Sequence, residues 1–190
     1  MNESFKVLGI DSQDYSLVKQ QLLKALSPLY GDQSSAIQKV EERNDRICEL
    51  YYVNEIVRGL IIFRNYLSNE YAEYGIFNGF EEKTTLPIIS ESEINRRRSL
   101  RFSIMQKLLH RAAEHAIGMN AQSFFGTVSG EKNGTLRLLF RLGFEEVAKF
   151  PDKFKIGVTE HLVVHKNITK LYELTKDKPA RACIGSSPPE

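Results

Sequence analysis

Sulfur chemistry has little to work with in this chain. Cys48 and Cys183 are its only cysteines. Two thiols give neither a disulfide framework nor a metal-ligand spacing, and they suit a reduced compartment, so the cytoplasm is expected. Net charge is also scarce, at +2. No overall field draws the chain to nucleic acid or membrane, and any basic site must be a local cluster. No apolar run approaches the roughly 18 residues of a membrane span. Residues 1–16 lack the charged-then-apolar pattern of a signal peptide, and no internal repeat is visible. What remains is ordinary: 42% hydrophobic and 26% charged residues over 190 positions. That is a globular composition with enough apolar side chains for one core. A single domain over residues 1–176 is expected. Residues 177–190, with Pro179, Pro188 and Pro189, read as a disordered tail.

Residues 5–10 alternate weakly and predict a strand. Leu17, Val18, Leu22, Leu23 and Leu26 then follow helical spacing, and residues 34–42 suit a second short helix. Residues 46–53 and 56–63 predict two strands joined by a two-residue turn at Asn54 and Glu55. Gly59, inside the second strand, marks a bulge or a close backbone approach. Residues 65–79 read as a long connection. Residues 81–89 are a strand candidate whose Pro87 argues for an edge. Residues 103–117 form an amphipathic pattern through Ile104, Met105, Leu108, Leu109, Ala112, Ala113 and Ala116. Residues 123–128 predict a buried strand, 135–142 a short helix stopped by Gly143, 144–150 and 160–165 two strands, and 167–175 a last helix.

Between the strand candidate and the amphipathic helix lies a polar stretch, residues 90–102, carrying Arg96, Arg97, Arg98 and Arg101. At a helix mouth, unpaired N–H groups and the helix dipole favour anions, and guanidinium groups add bidentate phosphate contacts. The alternative is a solvated charged loop. His110 and His115 are five apart on the helix and do not share a face. His161 and His165 share a strand face at about 13 Å, too far for one ion, so no metal is expected.

The order strand, basic loop, helix, strand, short helix and L-G-F resembles the GNAT superfamily of N-acyltransferases. Ile104-Met105-Gln106-Lys107-Leu108-Leu109 and Leu136 to Phe144 carry the likeness, supported by Asn78 to Leu86 and by Thr127-Val128-Ser129. It runs from about Phe80 to His165 and is topological before that. It implies an α/β (α+β) fold: a mixed, mostly antiparallel sheet flanked by helices. It further implies acetyl-CoA as co-substrate, an amine acceptor (small molecule or protein) and a homodimer. The family's glycine-rich phosphate loop matches Leu100 to Met105, so Arg97, Arg98, Arg101, Phe102, Ser103, Ile104 and Met105 become cofactor residues. Ser103 and Met105 fill the glycine positions, and Ser103 can cap the helix. Leu86, Ile88 and Ile89 would pair with the pantetheine, and Asn133 would touch the cofactor unless Asn133-Gly134 is simply a turn.

Acyl transfer from a thioester needs a base for the amine, a donor for the oxyanion and an acid for the thiolate. Glu81 or Glu82 is the candidate base, against exposed strand-end charges as the bland reading. Ser129 offers a hydroxyl, or a turn. The tyrosine that many relatives use as acid is matched by Leu139 or Phe140, neither of which donates a proton. Two rivals follow: a GNAT-fold binding or regulatory protein without catalysis, and nucleic-acid contact through Arg96 to Arg101. The second would show a steep salt dependence.

Overall fold

The computed structural model describes residues 2–8, 46–65, 71–77, 91–153 and 155–176, together with Tyr15, Ser16, Lys19, Gln20 and Leu23. One seven-stranded sheet organises them. Its strands are β1 (Glu3–Val7), β2 (Arg46–Val53), β3 (Ile56–Asn65), β4 (Tyr71–Phe77), β5 (Ser123–Ser129), β6 (Glu145–Pro151) and β7 (Thr159–His165). They lie in the order β1-β2-β3-β4-β5-β7-β6. Every pairing is antiparallel except β4 with β5. Between those two parallel strands the chain crosses over through α1 (Glu91–Gly118). Helix α2 (Asn133–Arg141) joins β5 to β6, and α3 (Ile168–Thr175) follows β7.

Local chemistry explains most of these elements. Asn54 and Glu55 take φ of 48° and 66°. Positive φ at both central residues is the tight turn that matches strand twist, so β2 and β3 close directly on each other. Their register slips between Tyr51 and Tyr52, opposite Gly59 and Val57. Gly59 also meets α1 closely: a Cβ there would sit 2.7 Å from Leu108 Cδ1. Both expectations for this glycine hold. Gly143, with φ of 93°, ends α2, and the Phe144 N–H reaches back to the Leu139 carbonyl. The Asn167 side chain caps α3 by accepting from the Lys170 N–H at 2.8 Å.

The sheet buries both faces. Tyr51, Ile61, Phe63, Phe124 and Val163 pack against Leu108, Leu109, Ala112, Ala113 and Ala116 of α1, with α2 and α3 completing that layer. Leu8, Cys48, Leu50, Tyr52 and Leu60 form a smaller cluster on which Tyr15 and Leu23 pack.

The structure corrects three expectations. Strand β4 falls inside the predicted connection 65–79. Asn133 and Gly134 are the first residues of α2 and not a free turn. Most important, α1 is continuous from Glu91, so residues 91–102 are no loop and Ser103 is no cap. Residues 34–42, 81–89 and 177–190 lie outside the described residues.

Candidate functional site

Strands β4 and β5 hydrogen-bond over three register pairs: Tyr71–Ser123, Ala72–Phe124 and Glu73–Phe125. Beyond them the two strands part. Among the described residues, 74–77 pair only to β3 and 126–129 only to β7. Within that set the result is a wedge between two parallel strands, open at their carboxyl ends and edged by backbone groups with no described partner. It lies at the one parallel pairing among the described strands. An extended polar chain entering there can complete both edges with backbone hydrogen bonds.

At the open end of β5 stands Ser129, 9% exposed, with Glu160 of β7, 7% exposed, as its register partner. Burial lifts the Glu160 carboxyl above its ordinary range, and the neighbouring Ser129 hydroxyl works against that rise. The Glu131 N–H also points at Ser129 Oγ, at 3.4 Å. Gly130 is held tightly beside them. Its N–H donates to the Thr159 carbonyl at 2.8 Å, and a Cβ would lie 2.9 Å from that same oxygen. Helix α2 starts immediately after, with no side-chain hydrogen bond at its first turn. Asn133 therefore lies at the wedge mouth, exposed, beside free N–H groups.

The predicted phosphate loop takes a different form. Ile104 and Met105 are core residues, 5% and 8% exposed, and residues 101–105 are helical. Their N–H groups serve the helix and cannot wrap a phosphate. Both residues, and Ser103 as a cap, drop out of the cofactor set. Arg97, Arg98 and Arg101 remain candidates through their side chains alone. By helical spacing they precede Ile104, Met105 and Leu108 by seven residues each, so they continue the face that packs on the sheet. Helix α1 has 28 residues, about 42 Å, against about 23 Å for the seven residues of β4. Running antiparallel to β4 and β5, its first half overhangs their carboxyl ends, beyond the mouth of the wedge. Phe102 is 50% exposed on the same overhang. Glu91 occupies the first turn, where a carboxylate complements the dipole that would otherwise draw a phosphate.

Glu81, Glu82, Leu86, Ile88 and Ile89 lie outside the described residues. The strand that borders the wedge is β4. Sequence reasoning passed over Glu160. Its signal was alternation: Glu160, Leu162 and Val164 share one strand face, and a carboxylate in an apolar row is unusual. Leu139, at the position of the family's tyrosine, is buried at 2%, while Phe140 is 44% exposed.

A second cavity, about 530 Å³, opens between β1, α1 and the end of α3, floored by Phe5 and Tyr51. Its charges are satisfied internally. Arg111 donates to Glu49 at 2.8 and 2.9 Å and to Glu114 at 3.0 Å, and Lys107 pairs with Glu3. His115 Nε2 lies 3.0 Å from Glu49 Oε2 but lacks hydrogen-bond alignment, so we count it as an ionic contact alone.

No protein-family model matches the chain, and no curated protein matches its sequence. Solved structures do match its fold. A spermidine N-acetyltransferase from Vibrio cholerae, in complex with CoA and spermine, is 16% identical with a TM-score of 0.60, over 89% of this chain and 98% of its own. A Salmonella typhimurium protein assigned as an acetyltransferase, solved with acetyl-CoA, is 15% identical at 0.61, over 87% and 94%. A Desulfovibrio desulfuricans protein assigned to the GNAT acetyltransferases is 14% identical at 0.62, over 87% and 99%. The chain has the GNAT acetyltransferase fold.

Proposed function

We propose that this protein is an N-acyltransferase that moves an acetyl group from acetyl-CoA to an amine by direct attack. The observation that carries the proposal is the parted β4–β5 pair in a fold shared with acetyltransferases. The pantetheine amides pair with the open edges at 74–77 and 126–129. Asn133 and the first turn of α2 meet the cofactor at the mouth. Arg97, Arg98 and Arg101 hold the phosphates by charge-assisted, bidentate contacts in place of a glycine-rich backbone cradle. Isothermal titration with acetyl-CoA tests this: saturable binding is expected, and a folded protein that gives no heat at millimolar ligand ends the proposal.

A second reading has its own observation. Leu139 is buried where the resemblance places a tyrosine acid, so a GNAT-fold protein that binds coenzyme A without turning it over fits the same wedge. Thiol release across a panel of amines separates the two. Spermidine belongs in that panel, because one structural neighbour is a spermidine N-acetyltransferase. Among the described residues no helix is long and apolar enough to cross a membrane.

A further inference from the structure

We infer that the Glu160 carboxylate, steadied by the Ser129 hydroxyl, takes the proton from the acceptor amine at the open end of the β4–β5 wedge. This inference rests on the acyl-transfer proposal and assigns its base.

Position comes first. Ser129 and Glu160 are direct register partners, so their side chains share a face. Strand β5 borders the wedge and β7 lies one strand further, about 5 Å away. Ser129 therefore stands on the strand nearer the wedge, and Glu160 on the next one. Burial comes second. At 7% exposure Glu160 is among the few buried charged residues, and it forms no salt bridge with another described residue. Glu49, the other buried carboxylate, is locked by Arg111 and His115. A carboxyl buried without an ion partner costs stability, and such groups concentrate where a proton must be moved.

Among the described residues the groups facing Glu160 are few. Lys153 before β7 and His161 on β7 favour its charged form, Glu131 after β5 disfavours it, and its β6 partner Phe150 carries no charge. Burial outweighs the two cations, so the carboxyl is a stronger base than a free glutamate. The step balances as follows. The acceptor arrives as an ammonium ion and gives one proton to Glu160, directly or through Ser129 Oγ. The freed lone pair forms the C–N bond to the thioester carbonyl carbon, and the C–S bond breaks. Coenzyme A leaves as thiolate and takes the second amine proton to become the thiol.

The test uses the full chain with acetyl-CoA and three acceptors: spermidine, n-butylamine and an alanine dipeptide. Thiol release is followed across pH, and acetyl-CoA binding is measured separately. Glu160→Gln is expected to lower kcat about 10²–10⁴-fold with acetyl-CoA affinity unchanged. Ser129→Ala removes the neighbouring hydroxyl that holds the carboxyl down, so the acidic limb of the pH–rate profile should move to higher pH. That movement separates a base from a merely structural glutamate, and it survives even if Glu160→Gln does not fold. Turnover within about threefold in Glu160→Gln, an unmoved limb in Ser129→Ala, or a loss confined to Glu81→Gln or Glu82→Gln overturns the assignment while the acyl-transfer proposal stands. Failure of the folded wild-type protein to bind acetyl-CoA overturns that proposal, and the assignment with it.

Discussion

The two halves of α1 share one backbone conformation and almost nothing else. From Ile104 to Ala116 the helix presents seven core residues, five of them at 0% exposure. From Glu91 to Ser103 every described side chain except Arg97 is exposed, including Ile94, Leu100 and Phe102 at 38%, 44% and 50%. The boundary falls where the sheet ends. About 15 residues of helix cover about 22 Å, which is the length of the strands beneath. Helicity is thus one property and burial another. The second half is a helix because it packs; the first is a helix because it extends an existing one, adding a hydrogen bond per residue without a new nucleus. The half that packs supports the fold, and the half that overhangs carries Arg98 and Arg101 on exposed positions.

The comparison breaks most visibly at Leu108. Leu108→Ala should cost about 2–5 kcal/mol in chemical denaturation, through lost burial and the cavity left behind. Gly59→Ala should cost about 1–3 kcal/mol, because its Cβ would overlap Leu108 Cδ1. The double variant sharpens the point. Removing the leucine makes room for the new methyl group, so the pair should be less destabilised than the sum of the singles. Simple additivity would show that Gly59 and Leu108 do not touch.

Much of this was legible beforehand. The stripe Ile104 to Ala116, the Asn54–Glu55 turn, the meaning of Gly59 and the stop at Gly143 all rest on local chemistry, and all appear in the structure. The first half of α1 did not, because hydrophobic periodicity reports a buried face and this half has none. Its Arg96, Arg97, Arg98, Leu100 and Arg101 are good helix formers, without glycine or proline from Glu91 to Ser103. Propensity was the signal, and the arginine cluster drew attention away from it. Strand β4 was hidden by its aromatic and acidic residues, which alternate poorly. The Glu160–Ser129 pair needed a strand register that no single segment contains.

The buried half also carries an ionic network that ties helix to sheet. Burial alone would raise the Glu49 carboxyl, but the adjoining His115 and Arg111 outweigh it and bring it from 4.5 to about 2. The folded value is the lower one. Its contribution is therefore complete above pH 4.5 and is lost as pH falls from there toward 2. The shift corresponds to at most about 3 kcal/mol. Denaturation midpoints should fall across that window in the wild-type protein and stay flatter in Glu49→Gln. Parallel acid limbs would detach the network from stability.

In the overhanging half the expected effects move from stability to binding. Changing Arg97, Arg98 and Arg101 together to Gln should leave the denaturation midpoint within about 0.5 kcal/mol. It should weaken acetyl-CoA binding about 10–100-fold, in line with the loss of one charge-assisted contact or more. The salt dependence of binding should flatten as well, since those charges would be gone. Affinity unchanged by the triple substitution would return the phosphates to the segment before Glu91.

The smallest expected effect is the sharpest check on the comparison. Leu100 and Phe102 are large apolar side chains on a helix, and by composition alone they resemble the core residues that follow. If exposure governs, Leu100→Ser and Phe102→Ser should each change stability by no more than about 0.5 kcal/mol, a tenth to a quarter of the Leu108→Ala effect. Hydrogen exchange should divide at the same boundary. Amides of residues 95–103 should open with little free energy, while those of residues 108–116 should approach the global value. A Phe102→Ser cost of 2 kcal/mol or more, or protection continuous across Ile104, would mean that the first half is covered in solution. The two halves of α1 would then be one packed helix, and the arginine face would lose its claim to a ligand.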